Sequence, residues 1–175
     1  MTKRKIIYVR HPKPIGHKNL CYGQTDLDIL PSDELALTKK ILSLPLEDFQ
    51  IFSSPLKRCK KVAESLGKPF LVEPLIKEIN FGIYEGVPWN DIPRDQLDLW
   101  SKDIENFHFP QGESYLDLKK RVKNFLFNTH FENILIVTHA GVIRACLDIL
   151  QNISIQESLK QEIPYGEINV KKLGE

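Results

Sequence analysis

The sequence of 175 residues carries almost no net charge: 24 lysines and arginines stand against 23 aspartates and glutamates, leaving +1. So even a balance argues against a surface built to coat nucleic acid and against an acidic or basic tail. Cysteine is scarce. Cys21, Cys59 and Cys146 cannot all pair and show no Cys-x-x-Cys spacing, which makes a disulfide scaffold and a zinc ribbon poor readings. No stretch approaches the ~20 apolar residues of a membrane span. The apolar run that follows the basic opening MTKRK is too short for a signal peptide, so a cytoplasmic protein with no membrane partner is expected. Repeats and low-complexity segments are lacking. So are a His-Glu-x-x-His pair, a carboxylate-dense calcium loop and a P-loop lysine, so neither a metal nor a cofactor is expected.

What is present is ordinary for a soluble globular chain: 42% hydrophobic and 27% charged residues. The length suits one domain over 1–175, able to bury roughly 70% of its unfolded surface. Three apolar runs read as strands: IIYV at 6–9, FQIF at 49–52 and ILIV at 134–137. They lack the alternation of a half-wet strand, which suits a sheet covered on both faces. FLV at 70–72 and INVKKL at 168–173 are weaker candidates. Between them, Ser54-Pro55 reads as an N-cap followed by proline at the first helical position, with Gly67 and Pro69 closing that helix. Further helices are expected at 113–129, from just after His139 to Leu150, and at 33–44. The alternation predicts an α/β fold, a three-layer α/β/α sandwich with a mostly parallel central sheet. Residues 73–112 show little periodicity and read as a long insertion over one edge of the sheet.

Two of these strands end alike. IIYV runs into Arg10-His11, and ILIV runs through Thr138 into His139-Ala140-Gly141. Ligands of open α/β sheets bind outside the carboxyl ends of strands, so both histidines can face one crevice. The third strand leads into Ser53-Ser54-Pro55-Leu56-Lys57-Arg58, placing Arg58 in the first turn of a helix whose amides already attract anions. Taken singly, an Arg-His pair is a surface feature, a His before Ala-Gly is a helix cap, and Arg58 is a solvated neighbour of Lys57, Lys60 and Lys61. Together, at successive strand ends, they describe a site for a phosphoryl group.

RHP at 10–12, SSPLKRC at 53–59, EINFGIYEG at 78–86, GES at 112–114 and VTHAGVIR at 137–144 occur in the order seen in the histidine phosphatase superfamily, with its phosphoglycerate mutase-like fold. The segment CYGQTDLDIL at 21–30 resembles the α-ribazole phosphatase branch, which serves cobalamin nucleotide-loop assembly. The resemblance implies a metal-independent phosphomonoesterase whose partner is a small phosphorylated metabolite. In it His11 is the nucleophile, Arg10, Arg58 and His139 hold phosphoryl oxygens, and Glu78 protonates the leaving oxygen. Glu85 competes with Glu78 for that role. Neighbouring arginines would keep the His11 imidazole neutral, and guanidinium suits phosphate because its planar fork gives bidentate bonds.

The chain departs from the common family motif Arg-His-Gly-[Glu/Gln]-[Thr/Ser]-x-x-Asn. Pro12 follows the nucleophile, Pro14 replaces the hydroxyl residue, and His17 stands where Asn is usual, with Asn19 as a second candidate donor. Tyr22, Gly23 and Ala140 are further candidate substrate contacts. Trp89 and Trp100 read equally as pocket wall or as local core, and Glu113-Ser114 as pocket frame or as a helix cap. A phosphoglycerate mutase-type phosphotransferase, a broad-specificity phosphatase, a protein phosphohistidine phosphatase and an inactive phosphate-binding module are the competing functions. Either a monomer or a homodimer fits.

Overall fold

A computed structural model describes residues 4–173 of the chain; residues 1–3 and 174–175 of the expected 1–175 domain lie outside the described residues. Five strands form one sheet: β1 (Arg4–Arg10), β2 (Gln50–Ser53), β3 (Phe70–Val72), β4 (Asn133–Thr138) and β5 (Ile168–Leu173), in the order β3-β2-β4-β1-β5. The first four are parallel to their neighbours, and β5 runs antiparallel along β1. Both weak strand candidates are therefore strands, each at a sheet edge.

The apolar runs have no alternation because both faces are covered. Ile6, Tyr8, Phe52, Ile134 and Ile136 pack with α4 (Tyr115–Asn128) and α5 (Ala140–Gln151). Their neighbours Ile7, Val9, Ile51, Leu135 and Val137 pack with α1 (Pro31–Leu42) and α2 (Lys57–Ser65). Successive strand side chains point to opposite faces, so the five-strand sheet is the middle of three layers.

The expected cap of α2 is corrected. The helix begins at Lys57, after Leu56 as N-cap, and the Ser54 Oγ accepts the amide of Leu56, at 3.4 Å, rather than one inside the helix. Ser54 is used elsewhere: its hydroxyl lies 2.7 Å from the His139 ring. At the other end Gly67, with φ +63°, supplies the left-handed residue that stops the helix. Two short helices, α3 (Arg94–Lys102) and α6 (Ile155–Leu159), lie outside the sequence expectation. α6, at five residues, is too short for a 3.6-residue period to repeat; α3 is as long as α2 but has no buried residue to mark an inward face.

Residues 73–112 are not draped over an edge. They form three 3₁₀ turns and α3, and their apolar residues Ile76, Ile79, Phe81, Tyr84, Ile92 and Phe109 join the core on the α4–α5 face. The Thr138 hydroxyl donates to the Ile76 carbonyl at 2.8 Å, fixing this segment across the end of β4.

One consequence of the strand order positions the chemistry. Arg10 and Thr138 are partners in the β1–β4 register, and the amide of His11 donates to the Thr138 carbonyl at 3.0 Å. From here the chain departs to opposite faces, into α1 after β1 and into α5 after β4. This reversal opens the crevice in which α/β sheets bind ligands.

Candidate active site

His11 is 2% exposed, and its Nδ1 lies 2.6 Å from the Pro12 carbonyl oxygen. A carbonyl only accepts, so Nδ1 carries the proton and Nε2 bears the lone pair. Arg58 confirms the polarity: its Nε, which only donates, is 3.2 Å from His11 Nε2. The same Nε is 3.3 Å from His139 Nδ1, while His139 Nε2 donates to Ser54 Oγ at 2.7 Å. One guanidinium N–H thus faces two imidazole lone pairs, on rings 5.1 Å apart. Burial, then the Arg58 charge, holds His11 well below the usual histidine range, with a smaller push from Arg10. Burial and Arg58 act on His139 in the same direction, helped by His11, Arg121 and Arg10.

Arg58 is fully buried. Its Nη1 donates to the Thr25 carbonyl at 2.8 Å and its Nη2 to the Gly23 carbonyl, with the Tyr22 ring 5.4 Å away. The loop that supplies these carbonyls is fastened by Glu85. That carboxylate accepts the amides of Gly23, Gln24, Thr25 and Phe81, and the Thr25 hydroxyl. Burial pushes Glu85 up, but these hydrogen bonds outweigh it and hold the carboxyl below its ordinary value. Glu85 is a strut with its oxygens occupied. Gly23 fits because nothing larger does: a Cβ there would sit 1.8 Å from the Ile79 carbonyl oxygen.

Glu78 is placed differently. Its Oε1 accepts the Ile79 amide at 3.0 Å and its Oε2 the Gly141 amide at 3.1 Å, at the start of α5. It lines a cavity of about 260 Å³ together with Arg10, His11, Tyr22, Gly141 and Arg144. The remaining wall is largely apolar, including Phe81, Trp89, Trp100 and Tyr115. The two tryptophans lie 5.8 Å apart with their planes 8° from parallel; they are pocket wall and, packed against Phe81, local core as well.

Arg10, His11, Tyr22 and Glu78 therefore share the cavity, and Arg58 and His139 support His11 from behind. His17 is not with them. Its Nδ1 lies 2.8 Å from the Pro14 carbonyl, and the residue lines a separate surface depression beside Lys13 and Lys18. Its Nδ1 is thus committed to a loop carbonyl, outside the cavity that Arg10 and His11 line. Asn19 is exposed, and its carbonyl accepts the Trp89 amide. Ala140 opens α5, but the amide that binds Glu78 belongs to the next residue.

Several site residues escape the sequence. Gly141 is legible in VTHAG only as a glycine; a Cβ there would lie 2.2 Å from Glu78 Oε1. Arg121 carries no local signal, yet it reaches the carbonyls of Leu75, Lys77 and Glu78 and pairs with Glu113 at 3.0 Å, pinning the Glu78 segment. Glu113 is thus part of this brace, and Ser114 caps α4 in a capping box with Asp117. Among the described residues no group of three or more His, Cys, Asp or Glu is placed to hold a metal ion.

Over residues 6–175 the chain matches the histidine phosphatase superfamily, branch 1. It belongs to that superfamily. A protein of Hydrogenobacter thermophilus provisionally named phosphoserine phosphatase 2 is 28% identical over 167 residues, covering 87% of this chain and 81% of the relative. Human 6-phosphofructo-2-kinase/fructose-2,6-bisphosphatase 1 is 28% identical over 171 residues, or 94% of this chain; the chain spans only 35% of that longer protein. Among solved structures, a phosphoglycerate mutase from Thermus thermophilus superposes with a TM-score of 0.77 at 28% identity, covering 95% of this chain and 91% of that one. An Escherichia coli protein provisionally named an α-ribazole-5′-P phosphatase shares the fold with a TM-score of 0.86 at 19% identity, covering 98% and 91%. The superfamily's relatives are named as phosphatases and mutases, and the phosphoglycerate mutase-like fold stands.

Two outcomes are expected. Gly141→Ala should displace the Glu78 carboxylate and lower kcat/KM about tenfold or more, because close contacts at an oriented group translate into rate. A circular-dichroism melt checks that the fold survives, and unchanged turnover would show that the Glu78 position does not matter. The second outcome concerns pH. Below about pH 6.5 the unfolded chain protonates histidines that the folded chain keeps neutral, so stability falls as pH drops through that region. The slope is up to about 1.4 kcal/mol per pH unit for each imidazole. Denaturant titrations from pH 7 to pH 5 should show this decline, and a shallower one in His139→Gln; equal slopes would contradict the buried neutral pair.

Proposed function

We propose that this protein hydrolyses a small phosphomonoester through a phosphohistidine. The observation that carries the reading is the fixed tautomer of His11: Nδ1–H is committed to the Pro12 carbonyl, leaving the Nε2 lone pair beside a buried guanidinium. In the first step Nε2 forms a bond to phosphorus as the ester P–O bond breaks, and Glu78 gives its proton to the departing oxygen. In the second step water attacks phosphorus, Glu78 takes the proton, and the P–N bond breaks to release inorganic phosphate. Arg10, in the cavity, would donate to the phosphoryl oxygens and the charge of Arg58 would stabilise them from behind His11, while His139, its Nε2–H given to Ser54, would hold Arg58 in place; such charge stabilisation is most of what a protein supplies to phosphoryl transfer. Those guanidiniums supply positive charge without a metal ion.

The favoured substrate is α-ribazole 5′-phosphate. Its flat, apolar base suits a cavity walled by Trp89, Trp100 and Phe81, and the E. coli neighbour carries that name. A mutase would present the same phosphoryl end but handle a small, highly charged donor, for which the aromatic wall offers little. Three buried free thiols, Cys21, Cys59 and Cys146, are in keeping with a cytoplasmic setting.

Rapid quench with ³²P-labelled substrate is expected to trap an acid-labile, base-stable adduct, absent in His11→Ala, whose turnover should drop at least about a thousandfold. EDTA should leave the wild-type rate unchanged; loss restored by a divalent ion would overturn the metal-free reading. Across α-ribazole 5′-phosphate, phosphoserine, 3-phosphoglycerate and sugar phosphates, the first should have the highest kcat/KM by about tenfold, the worth of ~1.4 kcal/mol of ring burial. A phosphoglycerate preference would select the mutase reading instead.

A further inference from the structure

The first motif lacks the hydroxyl and amide residues usual between its histidine and its asparagine position, and the structure shows what occupies the neighbourhood instead. The segment just before β5 is fastened to the end of β1 three times. The Arg10 amide donates to the Glu167 carbonyl at 3.0 Å, the Gly166 amide to the His11 carbonyl at 3.2 Å, and Arg10 Nη1 to the Ile163 carbonyl. Gly166, at φ +69°, turns the chain there. These bonds deliver the ring of Tyr165 onto Arg10, whose guanidinium carbon lies 3.8 Å from the ring centroid, and to 5.7 Å from the His11 ring. The Tyr165 hydroxyl is paired at 2.5 Å with that of Tyr22, whose own ring faces Arg58. Each phenol therefore covers one of the two guanidiniums, and their hydroxyls meet between them.

We propose that Tyr165 is a positioning residue for phosphoryl binding. Its ring clamps the Arg10 guanidinium, and its bond to Tyr22 ties the segment before β5 to the loop after β1, so that Arg10 and Arg58 are held in place before an anion arrives. This rests on the reading of Arg10 as a phosphoryl ligand. An arginine has several rotatable bonds to freeze when it binds, and a flat ring against its plane removes that freedom in advance while leaving its edge free for oxygens. The guanidinium has capacity left: Arg10 lines the cavity beside His11 and Glu78, its Nη1 is given to the Ile163 carbonyl, and its buried Nε has no partner among the described residues. It also gives β5 a purpose. Antiparallel pairing with β1 is what brings residues 163–167 to the nucleophile's end of the sheet rather than to the opposite end.

The test uses inorganic phosphate as the probe and calorimetric Kd as the readout, alongside kcat and KM for p-nitrophenyl phosphate. Tyr165→Leu should raise the phosphate Kd about tenfold, in line with a desolvated cation–π contact, and should raise KM more than it lowers kcat. Tyr165→Phe, which keeps the ring, should recover most of that loss. In an Arg10→Met background Tyr165→Leu should have no further effect on Kd, because the ring acts through the guanidinium. Should Tyr165→Leu fail to fold, Tyr22→Phe and Tyr165→Phe carry the test: each removes the same hydroxyl pair, so their effects on Kd should not add. An unchanged Kd in Tyr165→Leu, an undiminished loss in the Arg10→Met background, or additive phenylalanine variants would overturn the clamp. A wild type that binds phosphate but turns over no phosphomonoester would instead overturn the hydrolase reading and leave these comparisons of Kd standing.

Discussion

A single buried N–H, on Nε of Arg58, faces the lone pairs of two imidazoles that burial, and then the Arg58 charge, keep neutral. Arg58 has no exposure to solvent, and among the ion pairs of the described residues none involves it. A buried cation without a carboxylate is costly unless its donors are satisfied. Here they are satisfied by carbonyls and by imidazole lone pairs, all neutral acceptors. The positive charge is therefore solvated but not cancelled. A carboxylate in the place of those carbonyls would have stabilised Arg58 and forfeited that field.

This arrangement sets the roles of the two nearby glutamates. Glu85 does not touch Arg58, but it fixes the backbone whose Gly23 and Thr25 carbonyls do. Its charge is spent on four amides and a hydroxyl, so it stands one step removed from the guanidinium. Glu78 has one oxygen on the Ile79 amide and the other on the amide of Gly141, and it borders open volume. Two carboxylates seven residues apart are indistinguishable as residue types. The backbone amides aimed at each make one a strut and the other a candidate acid.

The layers and the meeting of two strand-end histidines are readable in the sequence because both depend on local order. IIYV and ILIV are continuous apolar runs for the reason that both sheet faces are covered, and each delivers a histidine where it ends. What stayed hidden depends on distant pairing. Ser54 looks like a helix cap beside Pro55, and only the fold reveals that its hydroxyl is taken by a histidine 85 residues away. Arg121 reads as one more cation on an amphipathic helix, although its donors reach carbonyls more than 40 residues earlier. Residues 73–112 read as an edge cover, and not as core, because their apolar residues are spaced by turns rather than by a helical or strand period. His17 inherits a position in a motif, yet two prolines redirect the loop and its ring nitrogen is bonded to one of their carbonyls.

The cavity joins two regions with different structural origins. Its cationic end is made at the carboxyl termini of β1 and β4, where register fixes Arg10 beside Thr138 and hence His11 beside His139. Any shift there would slip a strand and turn its buried side chains to the other face, so that end has little freedom to vary. The aromatic wall comes from turns and a short helix in 73–112, packed on the α4–α5 face. Turns and short helices tolerate substitution without disturbing a strand register. On the proposed function, the phosphoryl end and the body of the substrate would be read by parts of the chain under unequal constraint. That division would let one sheet architecture keep its chemistry while the group attached to the phosphate changes.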